Sequence, residues 1–145
     1  MDNEMTLTFL ATGENEQLAR MAITSFIAPL DPTIDQLSEM KTIVSEAVSN
    51  AIIHAYPDGD GFVTVHAVRN ANEISVSIKD FGVGIEHVLT AMEPLYTTRP
   101  EMERSGMGFT IMESFADELL VESVPNKGTT VTFTKKIEAI FPAAM

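Results

Sequence analysis

Two pairs of alternating apolar runs, each closed by a short turn, constrain this chain more than any other feature. Phe62 to Val68 and Ile74 to Ile78 alternate with period two and are joined through Asn70-Ala71-Asn72. Leu119 to Val124 and Thr129 to Lys135 do the same through Pro125-Asn126-Lys127-Gly128. Such runs, separated by turn residues, predict two antiparallel hairpins. A fifth run, Glu4 to Ala11, sets Met5, Leu7 and Phe9 against Thr6 and Thr8 and predicts a half-buried first strand.

Between these runs the period changes to that of a helix. After Gly13, Leu18, Ala22 and Phe26 fall on one face with Ala19, Ile23, Ile27 and Leu30. Asp31-Pro32 ends this first helix, because proline disfavours a helical residue before it. Thr33-Ile34-Asp35-Gln36 has the form of a capping box opening a second helix. Its apolar stripe, Leu37, Met40, Val44, Ala47, Val48, Ala51 and Ala55, runs on to Tyr56, and a turn cluster follows from Pro57 to Gly61. A third helix is predicted from about Met107 to Ala116, with Phe109, Ile111, Met112 and Phe115 as its apolar set. Residues 80–108 otherwise read as irregular, with one helical turn, and 137–145 receive no assignment. The expected fold is α+β, an α/β two-layer sandwich: a mostly antiparallel mixed sheet with helices on one face.

The chain has 145 residues, of which 45% are hydrophobic, so one domain over 1–145 with one core is expected. Nine basic residues against 21 acidic ones leave a formal charge of −12. That surface repels a phosphate backbone, which argues against direct nucleic-acid binding and against docking on anionic membranes. Cysteine is absent, which excludes disulfides and thiol catalysis. The acidic start, Met1-Asp2-Asn3-Glu4, is unlike a secretory leader, and a cytoplasmic location is expected.

Four groups of residues could carry chemistry. Glu46 and Asn50, four apart on the second helix, share a face at about 100° per residue, with Ser49 beside them. Such a pair on its own is more often a plain solvated surface; its functional reading is a base beside an amide oxygen that ligates Mg²⁺. Asp80-Phe81-Gly82-Val83-Gly84 follows a strand and is either a close-approach loop for a ligand or an ordinary Asx turn. Arg104-Ser105-Gly106-Met107-Gly108 opens a helix whose exposed N–H groups would suit an anion. Asn126-Lys127-Gly128-Thr129-Thr130 alone is only a β-turn. His54, His66 and His87 have no metal-ligand spacing and read as structural or exposed.

Taken in order, Glu46-x3-Asn50, Asp80-x-Gly82-x-Gly84, Gly106-x-Gly108 and Gly128-Thr129 resemble the ATP-binding pattern shared by gyrase, Hsp90, histidine kinases and MutL. The resemblance covers roughly residues 33–135. Within that superfamily, the stretches Glu46 to His54 and Pro94 to Phe109 look like the bacterial anti-sigma-factor serine kinases of sporulation. Ala55 departs from the glycine common in relatives after the helix-end histidine.

The resemblance implies a Bergerat-type ATP-binding fold and a set of roles. Asp80 would accept the adenine amino group with Thr129 beside it, and Gly82 and Gly84 would pass close to the nucleotide. Asn50 would ligate Mg²⁺. Residues 92–105 would form an ATP lid in which Thr97, Thr98 and Arg104 close over the phosphates, while Gly106 and Gly108 supply backbone donors. Glu46 would be the general base toward a serine hydroxyl, and phosphoryl transfer asks little else of a protein beyond positioning and charge neutralisation. ATP and Mg²⁺ are the implied cofactors. The implied partners are a sigma F-like sigma factor and a phosphoaccepting anti-anti-sigma factor, in a homodimer with Arg20 on the partner surface. A general-stress sigma factor as partner, a histidine-kinase catalytic domain, and a nucleotide-dependent sequestering module without transfer are the alternatives.

Overall fold

The computed structural model describes residues 1–57, 60–85, 88, 92 and 108–138. The chain runs β1 (Asn3–Leu10), α1 (Glu14–Ile27), a 3₁₀ turn (Ala28–Leu30), α2 (Ile34–Asn50), a π turn (Ala51–Ala55), β2 (Phe62–Asn70), β3 (Glu73–Asp80), α3 (Gly108–Phe115), β4 (Glu118–Val124) and β5 (Gly128–Lys136).

The first helix ends as the Asp31-Pro32 step requires, tightening into the 3₁₀ turn before Asp31 takes a left-handed φ of 51°. The capping box is present in full. Thr33 Oγ1 accepts from the Gln36 N–H at 3.1 Å, and the Gln36 side chain accepts from the Thr33 N–H at 3.2 Å. Two orphan donors at the start of α2 are thereby satisfied reciprocally.

Five strands form one sheet in the order β1-β2-β3-β5-β4, and every pairing is antiparallel. The expectation of a mixed sheet is corrected here: among the described strands no parallel pair exists, because β3 and β4, which run the same way, are separated by the antiparallel β5. β1 lies at the edge, paired only with β2.

Alternate residues of the strands point to one face and are buried: Val63, Val65 and Ala67 on β2, Ile74, Val76 and Ile78 on β3, Val131 and Phe133 on β5. They share a single cluster with Ala19, Ile23 and Ile27 of α1, Met40 to Val48 of α2, and Met112 of α3. Two details differ from the sequence reading. Ile43 is fully buried and belongs to the α2 stripe. Leu18, expected in the α1 stripe, is 45% exposed, because Ala19 and Ile23 face the core and turn it outward.

Candidate functional site

Asp80 ends β3 on its inward-facing side, following Ile74, Val76 and Ile78 along the same column. A carboxylate thus occupies what the pleat makes a core position, with 6% of its surface exposed. Burial pushes its pKa up, and two backbone N–H groups act against that shift. Those donors, Gly82 N–H at 3.0 Å and Thr129 N–H at 3.2 Å, converge on Oδ1. Oδ2 makes no hydrogen bond to a described residue and remains a strong acceptor.

Glycines hold this corner together by close backbone approach. Gly128 adopts a φ of +125°, and a Cβ there would sit 2.1 Å from the Asp80 carbonyl oxygen, so only glycine lets β5 bring Thr129 against Asp80. A Cβ on Gly82 would fall 2.0 Å from the Ala55 carbonyl oxygen, which accepts the Val83 N–H at 2.9 Å. On Gly84, at φ +76°, it would fall 2.3 Å from the Val124 carbonyl oxygen. The space vacated at Gly82 and Gly84 is therefore filled by the protein's own backbone. The sequence reading assigned that closeness to a nucleotide. Ala55, the departure noted above, takes part in this packing through its carbonyl.

Two residues that sequence reasoning missed complete the corner. The Tyr56 hydroxyl donates to the Phe62 carbonyl at 2.6 Å and accepts from the Phe81 N–H at 2.7 Å, tying the start of β2 to the loop after Asp80. Ser123, inward on β4, accepts from the Ile85 N–H at 2.6 Å and lies 2.8 Å from the Thr129 hydroxyl. An aromatic hydroxyl after a helix end and a serine in a strand carry no local signal of this kind. An open cavity of about 280 Å³ adjoins the loop, lined by Ala55, Tyr56, Pro57, Asp60, Gly82, Val83 and Asn126. Of the expected site residues it includes only Gly82.

The second half of the site lies on α2. Glu46 and Asn50 share a face, as their spacing predicts, and Gly108 at the start of α3 packs onto it. A Cβ on Gly108 would meet Glu46 Oε2 at 3.1 Å and the Asn50 amide atoms at 3.5 Å. The N-terminal end of α3, where a helix carries partial positive charge, is thus set against a carboxylate and an amide. Ser49, beside them, instead donates to Glu16 of α1 at 2.9 Å.

The donor set fits Mg-ATP in two respects: a buried carboxylate with a spare acceptor oxygen suits an exocyclic amino group, and a helix start beside Glu46 and Asn50 suits phosphates. Among the described residues no group of three acidic or histidine side chains forms a metal cluster. Asn50 would therefore supply one hard oxygen, with phosphates and water completing the shell. Thr97, Thr98, Arg104 and Gly106, together with His87 and nearly all of the expected lid, lie outside the described residues. Arg20 is half-buried on α1, where its guanidinium donates to Gln17 and its Nε is buried without a partner. No hydrogen bond joins it to the Asp80 corner.

This fold, carrying a buried aspartate at the end of β3 and a glutamate–asparagine face opposite a glycine-led helix, defines a nucleotide-binding α+β domain. Residues 9–135 match the family model of the histidine kinase-like ATPase domain. The chain belongs to that family and, within it, to the anti-sigma F factors. It is 66% identical to the anti-sigma F factor of Lysinibacillus sphaericus over the whole of both chains. It is 51% identical to that of Clostridium acetobutylicum, over 97% of this chain and 98% of the relative. Among solved structures, the RsbU and RsbW domains of a Mycobacterium tuberculosis protein match with a TM-score of 0.67 at 18% identity, covering 97% of this chain and 35% of that one. The catalytic domain of histidine kinase ThkA matches with a TM-score of 0.56 at 17% identity, covering 92% and 97%. These likenesses establish the fold. No helix among the described residues is long and apolar enough to cross a membrane.

Proposed function

We propose that this chain is a cytoplasmic anti-sigma factor that binds and inhibits a sigma F-like sporulation sigma factor, and that it uses Mg-ATP to phosphorylate a serine of an anti-anti-sigma partner. The name shared by its full-length relatives supports the first part. The observation that carries the second is Glu46: a carboxylate on the Asn50 face of α2, against the first residue of α3. Nucleotide binding needs Asn50 and Asp80, whereas a base beside them serves transfer.

In this reading Asp80 Oδ2 accepts from the adenine amino group, with Thr129 alongside. Asn50 ligates Mg²⁺, which when bound neutralises phosphate charge. The N–H groups at the start of α3, from Gly108, face the phosphates, and the lid residues Thr97, Thr98, Arg104 and Gly106 close over them. Glu46 takes the proton of the partner's serine as that oxygen bonds the γ-phosphorus and the bond to the β-phosphate oxygen breaks, releasing ADP. Arg20 contributes to the partner surface. The open edge of β1 offers unpaired backbone groups to a second copy, in keeping with a homodimer.

The test is transfer of label from γ-labelled ATP with Mg²⁺ to an anti-anti-sigma protein of the same genome, for the wild type and Glu46→Gln. The expected outcome is acid-stable phosphoserine with the wild type only, with ATP affinity equal in both. Equal loss of affinity and transfer would make Glu46 a binding residue. Absence of label from a wild type that binds ATP and captures the sigma factor would leave a sequestering module without transfer.

A further inference from the structure

One arrangement of protons satisfies all three polar contacts of Ser123 at once. Ser123 Oγ makes three polar contacts: the Ile85 N–H at 2.6 Å, the Thr129 hydroxyl at 2.8 Å and the Gly128 carbonyl oxygen at 3.1 Å. A serine hydroxyl has one proton and two lone pairs. Ile85 N–H can only donate, so it takes one lone pair. Gly128 O can only accept, so it takes the single proton. The contact with Thr129 holds a proton only if Thr129 supplies it, and this takes the second lone pair. Ser123 is then saturated, and the Thr129 hydroxyl has spent its proton on it.

What remains on Thr129 Oγ1 is a pair of acceptor sites. The backbone N–H of the same residue lies 3.2 Å from Asp80 Oδ1, so Thr129 belongs to the corner whose Asp80 Oδ2 is also an acceptor. We propose that Ser123 is a positioning residue that fixes Thr129 as an acceptor, so that this corner admits a 6-aminopurine by its exocyclic N–H groups and disfavours a purine lacking them. Ser123 acts through Thr129 and meets no ligand atom itself. The proposal rests on the nucleotide reading above and deepens it from ATP binding to how the base is selected.

The discriminating pair of ligands is ATP and purine riboside 5′-triphosphate, which lacks only the 6-amino group. Their dissociation constants would be measured by calorimetry for the wild type, Ser123→Ala, Ser123→Thr and Thr129→Val. The wild type is expected to favour ATP by tenfold or more, roughly what a hydrogen bond to a charged acceptor supplies. Ser123→Ala should cut that ratio several-fold while leaving the affinity for the purine analogue unchanged, and Ser123→Thr should restore it. Thr129→Val removes the acceptor with Ser123 intact and should lower the ratio likewise, which keeps the test open if Ser123→Ala fails to fold. Equal weakening of both nucleotides by Ser123→Ala would mean a merely structural role and would overturn the proposal, as would an undiminished ratio in Thr129→Val. A wild type that binds neither triphosphate would instead remove the nucleotide reading itself.

Discussion

The contact between Gly82 and the end of the π turn yields a quantitative prediction. In Gly82→Ala the new Cβ would lie 2.0 Å from the Ala55 carbonyl oxygen and 2.6 Å from the Ala55 Cβ, both far inside van der Waals contact. Its neighbours are backbone and a methyl group, with no rotamer to yield. The Gly82–Val83 segment must therefore retreat by about 1 Å, which breaks the 2.9 Å bond from Val83 N–H to Ala55 O. A lost backbone bond costs about 1 kcal/mol and forced overpacking about 1–3 kcal/mol, so a destabilisation of roughly 2–4 kcal/mol is expected. For a domain of this size that lowers the melting temperature by roughly 5–12 °C. Gly13→Ala is the control, because a Cβ there meets nothing within 4 Å and should leave the melting temperature almost unchanged. Both variants would be compared by calorimetry without nucleotide. A Gly82→Ala protein melting within about 2 °C of the wild type would refute the steric argument.

Two further perturbations follow from the same geometry. Asp80→Asn keeps an oxygen for the Gly82 and Thr129 N–H groups while removing a buried charge. Because burial raises the Asp80 pKa in the folded state, the native protein holds its proton longer than the unfolded chain, and stability contributed by that proton is lost as pH rises through the folded value. The variant should therefore match the wild type in strong acid and melt progressively higher above the usual carboxylate range, while losing nucleotide affinity; a pH series of melting curves showing no divergence would contradict this. Lys135 is buried, and its Nζ donates to Glu39 at 2.7 Å and to the Phe115 carbonyl, the last of α3, at 2.6 Å. Lys135→Met should cost about 2–3 kcal/mol, read as a lower urea midpoint, because that carbonyl loses a charged donor.

What the sequence disclosed depended on how far apart the cooperating residues lie. The capping box of Thr33 and Gln36, both hairpins and the shared face of Glu46 and Asn50 are local patterns, and the structure has all of them. Leu18 falls outside the buried stripe of α1 and Ile43 inside that of α2, because a stripe drawn at 3.6 residues per turn leaves its own edges undetermined. Tyr56, Ser123 and Lys135 were invisible because their partners lie outside their own elements: Ser123 holds Ile85 of the loop after β3, and Lys135 reaches Glu39 across the domain. The glycines of the Asp80 loop stood out in the sequence. That their steric partners are the carbonyls of Ala55 and Val124 did not, because nothing in those residues marks a carbonyl as the neighbour of a distant glycine.

The strand order also bears on how the site comes into being. β2–β3 and β4–β5 are tight hairpins able to close on the microsecond scale, whereas Asn3 must find Arg69 and Glu73 must find Lys136 across long intervening segments. Asp80 belongs to the first hairpin and Thr129 to the second, so the β3–β5 boundary is a seam between two independently closing halves. The corner that would receive a base has no existence before that seam docks. Anything bound there straddles it, and acts as a clasp whose strength adds to the cohesion of the whole domain in proportion to the logarithm of its concentration.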